Sequence, residues 1–126
     1  MMTRRWYGLL LVLIGVASLY RTSPHEPNGL AVAADVRTVE VVLKDNFFDP
    51  PVITVHPGDT IVFRNQGRQL HAVTLIDHEE VLDQGFTEPQ KSLTFVVPKA
   101  LPPGEYILGC NVHMTMRGKL IVQPLP

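Results

Sequence analysis

Val52-Ile53-Thr54-Val55-His56-Pro57-Gly58-Asp59-Thr60-Ile61-Val62-Phe63-Arg64-Asn65 is the stretch that decides the fold. Two short runs of β-branched and apolar residues flank Pro57-Gly58-Asp59, where proline fixes φ and glycine permits φ > 0. Successive strand side chains alternate between faces, so Ile61 and Phe63 share one side of the second run and Thr60, Val62 and Arg64 the other. The pattern is strand, turn, strand. It repeats outward in Thr38–Leu43, His71–Ile76, Leu93–Val97, Glu105–Gly109 and Lys119–Gln123. Between these runs lie Asp49-Pro50-Pro51, Asn65-Gln66-Gly67, Gln84-Gly85, Glu88-Pro89 and Pro102-Pro103-Gly104, all turn-forming compositions. No run keeps helical periodicity long enough for a stable helix, though Asp77 to Asp83 has room for one turn. The spacing predicts an all-β Greek-key sandwich of seven or eight strands, in two packed antiparallel sheets.

The chain has 126 residues, enough for one domain of the usual roughly 100 to 200 and not for a second, catalytic one. Its formal net charge of −1 supplies none of the basic field that nucleic acid requires. Residues 1–34 stand apart from the fold. Arg4 and Arg5 precede an apolar run from Trp6 to Tyr20, and Ala31-Val32-Ala33 is a small-x-small cleavage signal ahead of Asp35. The expected division is a signal peptide over 1–34 and one domain over 35–126. The alternative is an uncleaved anchor whose linker is the Pro-containing stretch Arg21 to Leu30. Either way the domain is exported, to the periplasm or the cell exterior, with a membrane tether only if the segment is retained.

An exported protein commonly pairs its cysteines, yet Cys110 is alone. A buried inert thiol, a nucleophile, an intermolecular bridge and a metal ligand are all open to it. Its neighbours decide: Gly109-Cys110-Asn111-Val112-His113-Met114-Thr115-Met116-Arg117-Gly118-Lys119. Positions three apart on a strand point to opposite faces, so Cys110 and His113 converge only if the chain turns between them, and the segment is expected to be a loop with a tight hairpin end. Cys110, His113 and Met116 would then point inward together. His71, opening an alternating run, is the best candidate for a fourth donor. Thiolate and thioether are soft donors, imidazole serves both copper oxidation states, and a trigonal His₂Cys set with a weak Met is an electron-transfer copper arrangement. Zinc fits less well because it has no use for a thioether. A binuclear copper centre would need a second cysteine.

The pattern C-x-x-H-x-x-M-R-G-K, four residues after Tyr106, resembles the ligand loop of the cupredoxins, the small blue copper proteins, and its short final spacing is most similar to amicyanin. Phe48-Asp49-Pro50, Val55 through Asn65 and His71-Ala72-Val73 resemble the family's earlier strands and first ligand, so that the likeness spans about residues 36–124. It implies one type 1 copper ion per chain, held by His71, Cys110, His113 and Met116. It also implies a non-enzymatic, monomeric one-electron carrier whose redox protein partners dock on an apolar patch near His113. Two positions depart from the pattern. Ala72 stands where many cupredoxins have a polar residue, often Asn, that hydrogen-bonds to the cysteine loop, and Met114 stands where the amicyanin loop has proline.

His56 and His78 lack a sulfur partner nearby and are expected to be surface histidines. Asp77, Glu79, Glu80 and Asp83 form an acidic cluster, ordinarily a solvated loop. The competing function is a copper-binding module for storage, delivery or sensing. A metal-free adhesion sandwich leaves four donors unexplained, and a Cys110–His113 hydrolase lacks a third orienting group.

Overall fold

The computed structural model describes residues 35–126, and the expected export segment lies outside the described residues. Nine strands are found there: β1 (Thr38–Leu43), β2 (Phe48–Asp49), β3 (Val52–Val55), β4 (Thr60–Asn65), β5 (His71–Leu75), β6 (Asp83–Thr87), β7 (Ser92–Val96), β8 (Gly104–Cys110) and β9 (His113–Val122). They form a four-stranded sheet, β2-β1-β4-β7, and a five-stranded sheet, β3-β9-β8-β5-β6. The all-β sandwich expected from the alternation is the observed architecture. Ile61 and Phe63 of β4 are buried with Val41 and Leu43 of β1, Ile53 and Val55 of β3, Leu75 of β5 and Leu108 of β8. Each such side chain contributes about 1.5–3 kcal/mol when fully buried.

Two strands exceed the expected set. β2 is two residues long, and β6 runs through Gln84-Gly85, whose composition signals a turn. β6 is an edge strand with mostly exposed side chains, so it needs no apolar alternation. The segment expected to allow one helical turn, Asp77 to Asp83, instead makes turns that lead into β6 at Asp83, with Asp77 at φ 63°.

The expectation of purely antiparallel sheets is corrected. β1 pairs with β4, and β3 with β9, in parallel. The cause is the corner at Pro57-Gly58-Asp59, which carries the chain from one sheet into the other instead of closing a hairpin. Gly58 adopts φ 95° there, a region open to glycine without steric cost.

Asp59 locks this corner. Its buried carboxylate accepts from the His56 amide at 2.8 Å, the Arg37 amide at 3.0 Å and the Arg37 guanidinium at 2.9 Å. Burial alone would raise its pKa, but the two amides and the guanidinium outweigh burial, and the carboxyl titrates below its ordinary value. A depressed carboxyl contributes stability that is present above the ordinary carboxylate range, near pH 4, and is lost as pH falls through the lower folded value. Asp59→Asn should therefore cost about 1–3 kcal/mol at neutral pH. The gap between the two proteins should narrow below about pH 4. Thermal melts of both from pH 7 to pH 3 measure it, and a gap independent of pH would contradict this role.

Candidate metal centre

β5 opens on His71, β8 ends on Cys110 and β9 opens on His113, so one end of the five-stranded sheet gathers all three. The antiparallel register Thr74↔Gly109 sets His71 beside Cys110. The expected tight hairpin end is observed, but its turn is only Asn111-Val112, and the rest of the segment expected as a loop is strand. Gly109 lies opposite Arg117, but Cys110 lies opposite His113, leaving residues 114–116 without counterparts on β8. β9 bulges there, which re-aims side chains as strand bulges do. Two positions that a regular strand would send to opposite faces thereby converge.

Cys110 Sγ lies 3.5 Å from His113 Nδ1 and 3.8 Å from His71 Nδ1. The two imidazole rings are 4.8 Å apart, tilted by 49°. Among the described residues, His71, Cys110 and His113 form the one group of His, Cys, Asp or Glu placed to share an ion, with donor atoms within 4.8 Å of one another. The two sulfur–nitrogen spacings match those around a shared ion: bonds of roughly 2.3 Å to sulfur and 2.0 Å to nitrogen at about 120° put S and N about 3.7 Å apart. His71 and Cys110 are buried and His113 is half-buried. Met116, on the same bulge, is completely buried within the core cluster.

Burial lowers the pKa of His71, and the neighbouring His113 lowers it further, against a smaller opposing pull from Asp45. The imidazole is thus held in the neutral form that offers a lone pair. Its Nε2 is buried without a partner. The amide of Ala72 donates to Cys110 Sγ at 3.4 Å, directing a main-chain dipole at the sulfur. Copper in its soft-donor environment is the ion this set suits.

His56 and His78 stay outside the cluster. His56 joins the Arg37–Asp59 corner, and the exposed His78 packs edge-on against Tyr106, whose hydroxyl donates to Pro102 O at 2.7 Å.

Sequence reasoning passed over the residues that support the candidate donors. Buried Asn65 donates from Nδ2 to Gln69 O and Thr87 O, both at 2.8 Å, and its Oδ1 accepts from Gly67 N at 3.0 Å. That last bond is an Asx turn, and the Asn-x-Gly spacing was its only local signal. A side chain at Gly67 would have its Cβ 3.1 Å from His71 Nε2 and 3.2 Å from the Asp45 amide, and still nearer the Asp45 carboxylate. Gly67→Ala should cost about 1–3 kcal/mol by overpacking. It should also weaken metal uptake, because it displaces His71. Thermal melts with parallel Cu(II) titrations test this, and wild-type behaviour in both would show that the cradle has slack.

The cupredoxin-like domain family matches residues 10–122, and the chain belongs to that family. Among curated proteins it is similar to the methylamine utilization protein MauL of Methylophilus methylotrophus, 29% identical over 122 residues that make up 93% of this chain and 69% of MauL. It is also similar to the iron uptake system component EfeO of Escherichia coli K12, 31% identical over 101 residues, 75% of this chain but only 25% of EfeO. Among solved structures, an oxidised amicyanin variant superposes with a TM-score of 0.60 at 21% identity, covering 68% of this chain and 82% of amicyanin. At that identity the likeness concerns the fold. No helix among the described residues is long and apolar enough to cross a membrane.

Proposed function

We propose that residues 35–126 form a type 1 copper domain that carries one electron at a time between redox partners outside the cytoplasm, with residues 1–34 directing export. The observation that carries this reading is the convergence of Cys110 Sγ with the Nδ1 atoms of His71 and His113. In it, His71, Cys110 and His113 are the strong ligands and Met116 the weak one. Copper held there would supply a one-electron couple.

The chain's own residues do the rest. The sheet end fixes three donors before any ion arrives, so little rearrangement is demanded of the protein between oxidation states. Burial of His71, Cys110 and Met116 excludes water and substrate-sized molecules from the sulfur, which favours carriage over catalysis. His113 is the ligand nearest solvent. It is flanked by the exposed side chains of Val112 and Met114, the latter 73% accessible, and this apolar surface suits transient docking of a redox protein.

The second reading, a module that stores, delivers or senses metal, draws on the similarity to a component of an iron uptake system. Reversible cycling without metal loss separates the two.

Adding Cu(II) to the purified domain should give an intense thiolate-to-copper band in the visible range. Cys110→Ser should abolish it. Met116→Leu should keep the band while shifting the reduction potential, since a weak thioether donor would tune that potential. A colourless complex held by histidine alone would overturn the proposal.

A further inference from the structure

The two ligand imidazoles are held by different means. His71 is enclosed by the fold, with its Nε2 buried and unpartnered. His113 is half-buried at the start of β9, just after the two-residue turn, and burial alone does not fix its ring. Ala72 offers no side-chain donor or acceptor with which the first-ligand segment could grip the cysteine turn.

That grip comes from Gln69. Its Oε1 lies 2.5 Å from His113 Nε2, a contact between residues 44 positions apart. Among the described residues it is the one side chain outside the ligand set that hydrogen-bonds a ligand imidazole. Gln69 is itself exposed, but its main chain is pinned, because its carbonyl accepts from the buried Asn65 amide at 2.8 Å. Asn65 is in turn tied to Thr87 O on β6 and to Gly67 N. A hydrogen-bonded path therefore runs from the end of β4 to the outer edge of the His113 ring.

We infer that Gln69 is a positioning residue for the metal centre: it accepts the Nε2–H of His113 and so holds Nδ1 turned toward Cys110 Sγ. A ligand histidine whose second nitrogen donates to a fixed acceptor keeps both its tautomer and its ring angle. With Nε2 carrying the proton, Nδ1 keeps its lone pair for the metal. The inference rests on the copper reading for its purpose, although the contact belongs to the protein alone.

Two variants test it. Gln69→Leu keeps bulk and removes the acceptor, whereas Gln69→Glu keeps an acceptor oxygen at similar reach. In the metal-free protein, NMR should find a hydrogen-bonded His113 Nε2–H proton in wild type and Gln69→Glu, and lose it to solvent exchange in Gln69→Leu. In the copper-loaded protein, transfer of Cu(I) to a bathocuproine chelator should be about tenfold faster for Gln69→Leu, the low end of the range for such supporting residues. Gln69→Glu should restore the slow rate, and melting temperatures should stay together. An unchanged Nε2–H signal and release rate in Gln69→Leu would overturn the inference. So would equal acceleration in both variants, which would mark a merely structural position. If wild type took up no thiolate-bound copper, the proposed function would fall while the metal-free NMR signal would still decide whether the tie exists.

Discussion

The bond from the Ala72 amide to Cys110 Sγ is the constraint around which the site is built. The register between β5 and β8 runs through Leu75↔Leu108 and Thr74↔Gly109, and then β8 turns away at Cys110. A buried amide without an acceptor costs about 1–3 kcal/mol, and here sulfur takes the place of the missing carbonyl. The same contact that satisfies the main chain fixes the cysteine beside His71. Displacing the sulfur would leave the Ala72 amide without this acceptor at the point where β5 and β8 bring His71 and Cys110 together.

The remainder of the molecule makes that junction stiff. The Asp59 corner joins the sheets at Pro57-Gly58, and Asn65 fastens the end of β4 to β6 and to the segment leading into His71. Both are buried polar residues in which every side-chain polar atom is hydrogen-bonded. Such networks add definition when fully satisfied and are costly when broken in part. The site is therefore supported from both sheets, although His71, Cys110 and His113 all lie on one.

Much of this was legible in the residues. Alternation in Thr60–Arg64 gave the strand and its buried face, because Ile61 and Phe63 have no other way to leave water. The lone Cys110 with His113 and Met116 at short intervals pointed to one chemistry, and His71 could be matched to them. β6 escaped because an edge strand of Asp83, Gln84 and Gly85 carries no apolar signal. The parallel pairings escaped because a turn sequence says that the chain reverses and not which sheet it enters. Gln69 and Asn65 escaped for a related reason: side-chain ties across 44 positions, from Gln69 to His113, and across 22, from Asn65 to Thr87, leave no local pattern. Read alone, Asn65-Gln66-Gly67 is only a turn.

The central claim is the proposal that His71, Cys110 and His113, which the fold brings together, serve as one donor set for both oxidation states of copper. X-ray absorption at the copper edge, recorded on the oxidised and reduced domain, tests it most directly. The account predicts one short sulfur and two imidazole nitrogens in both states, with bond lengths changing little between them. A first shell without sulfur, or one that loses a nitrogen ligand on reduction at neutral pH, would contradict it.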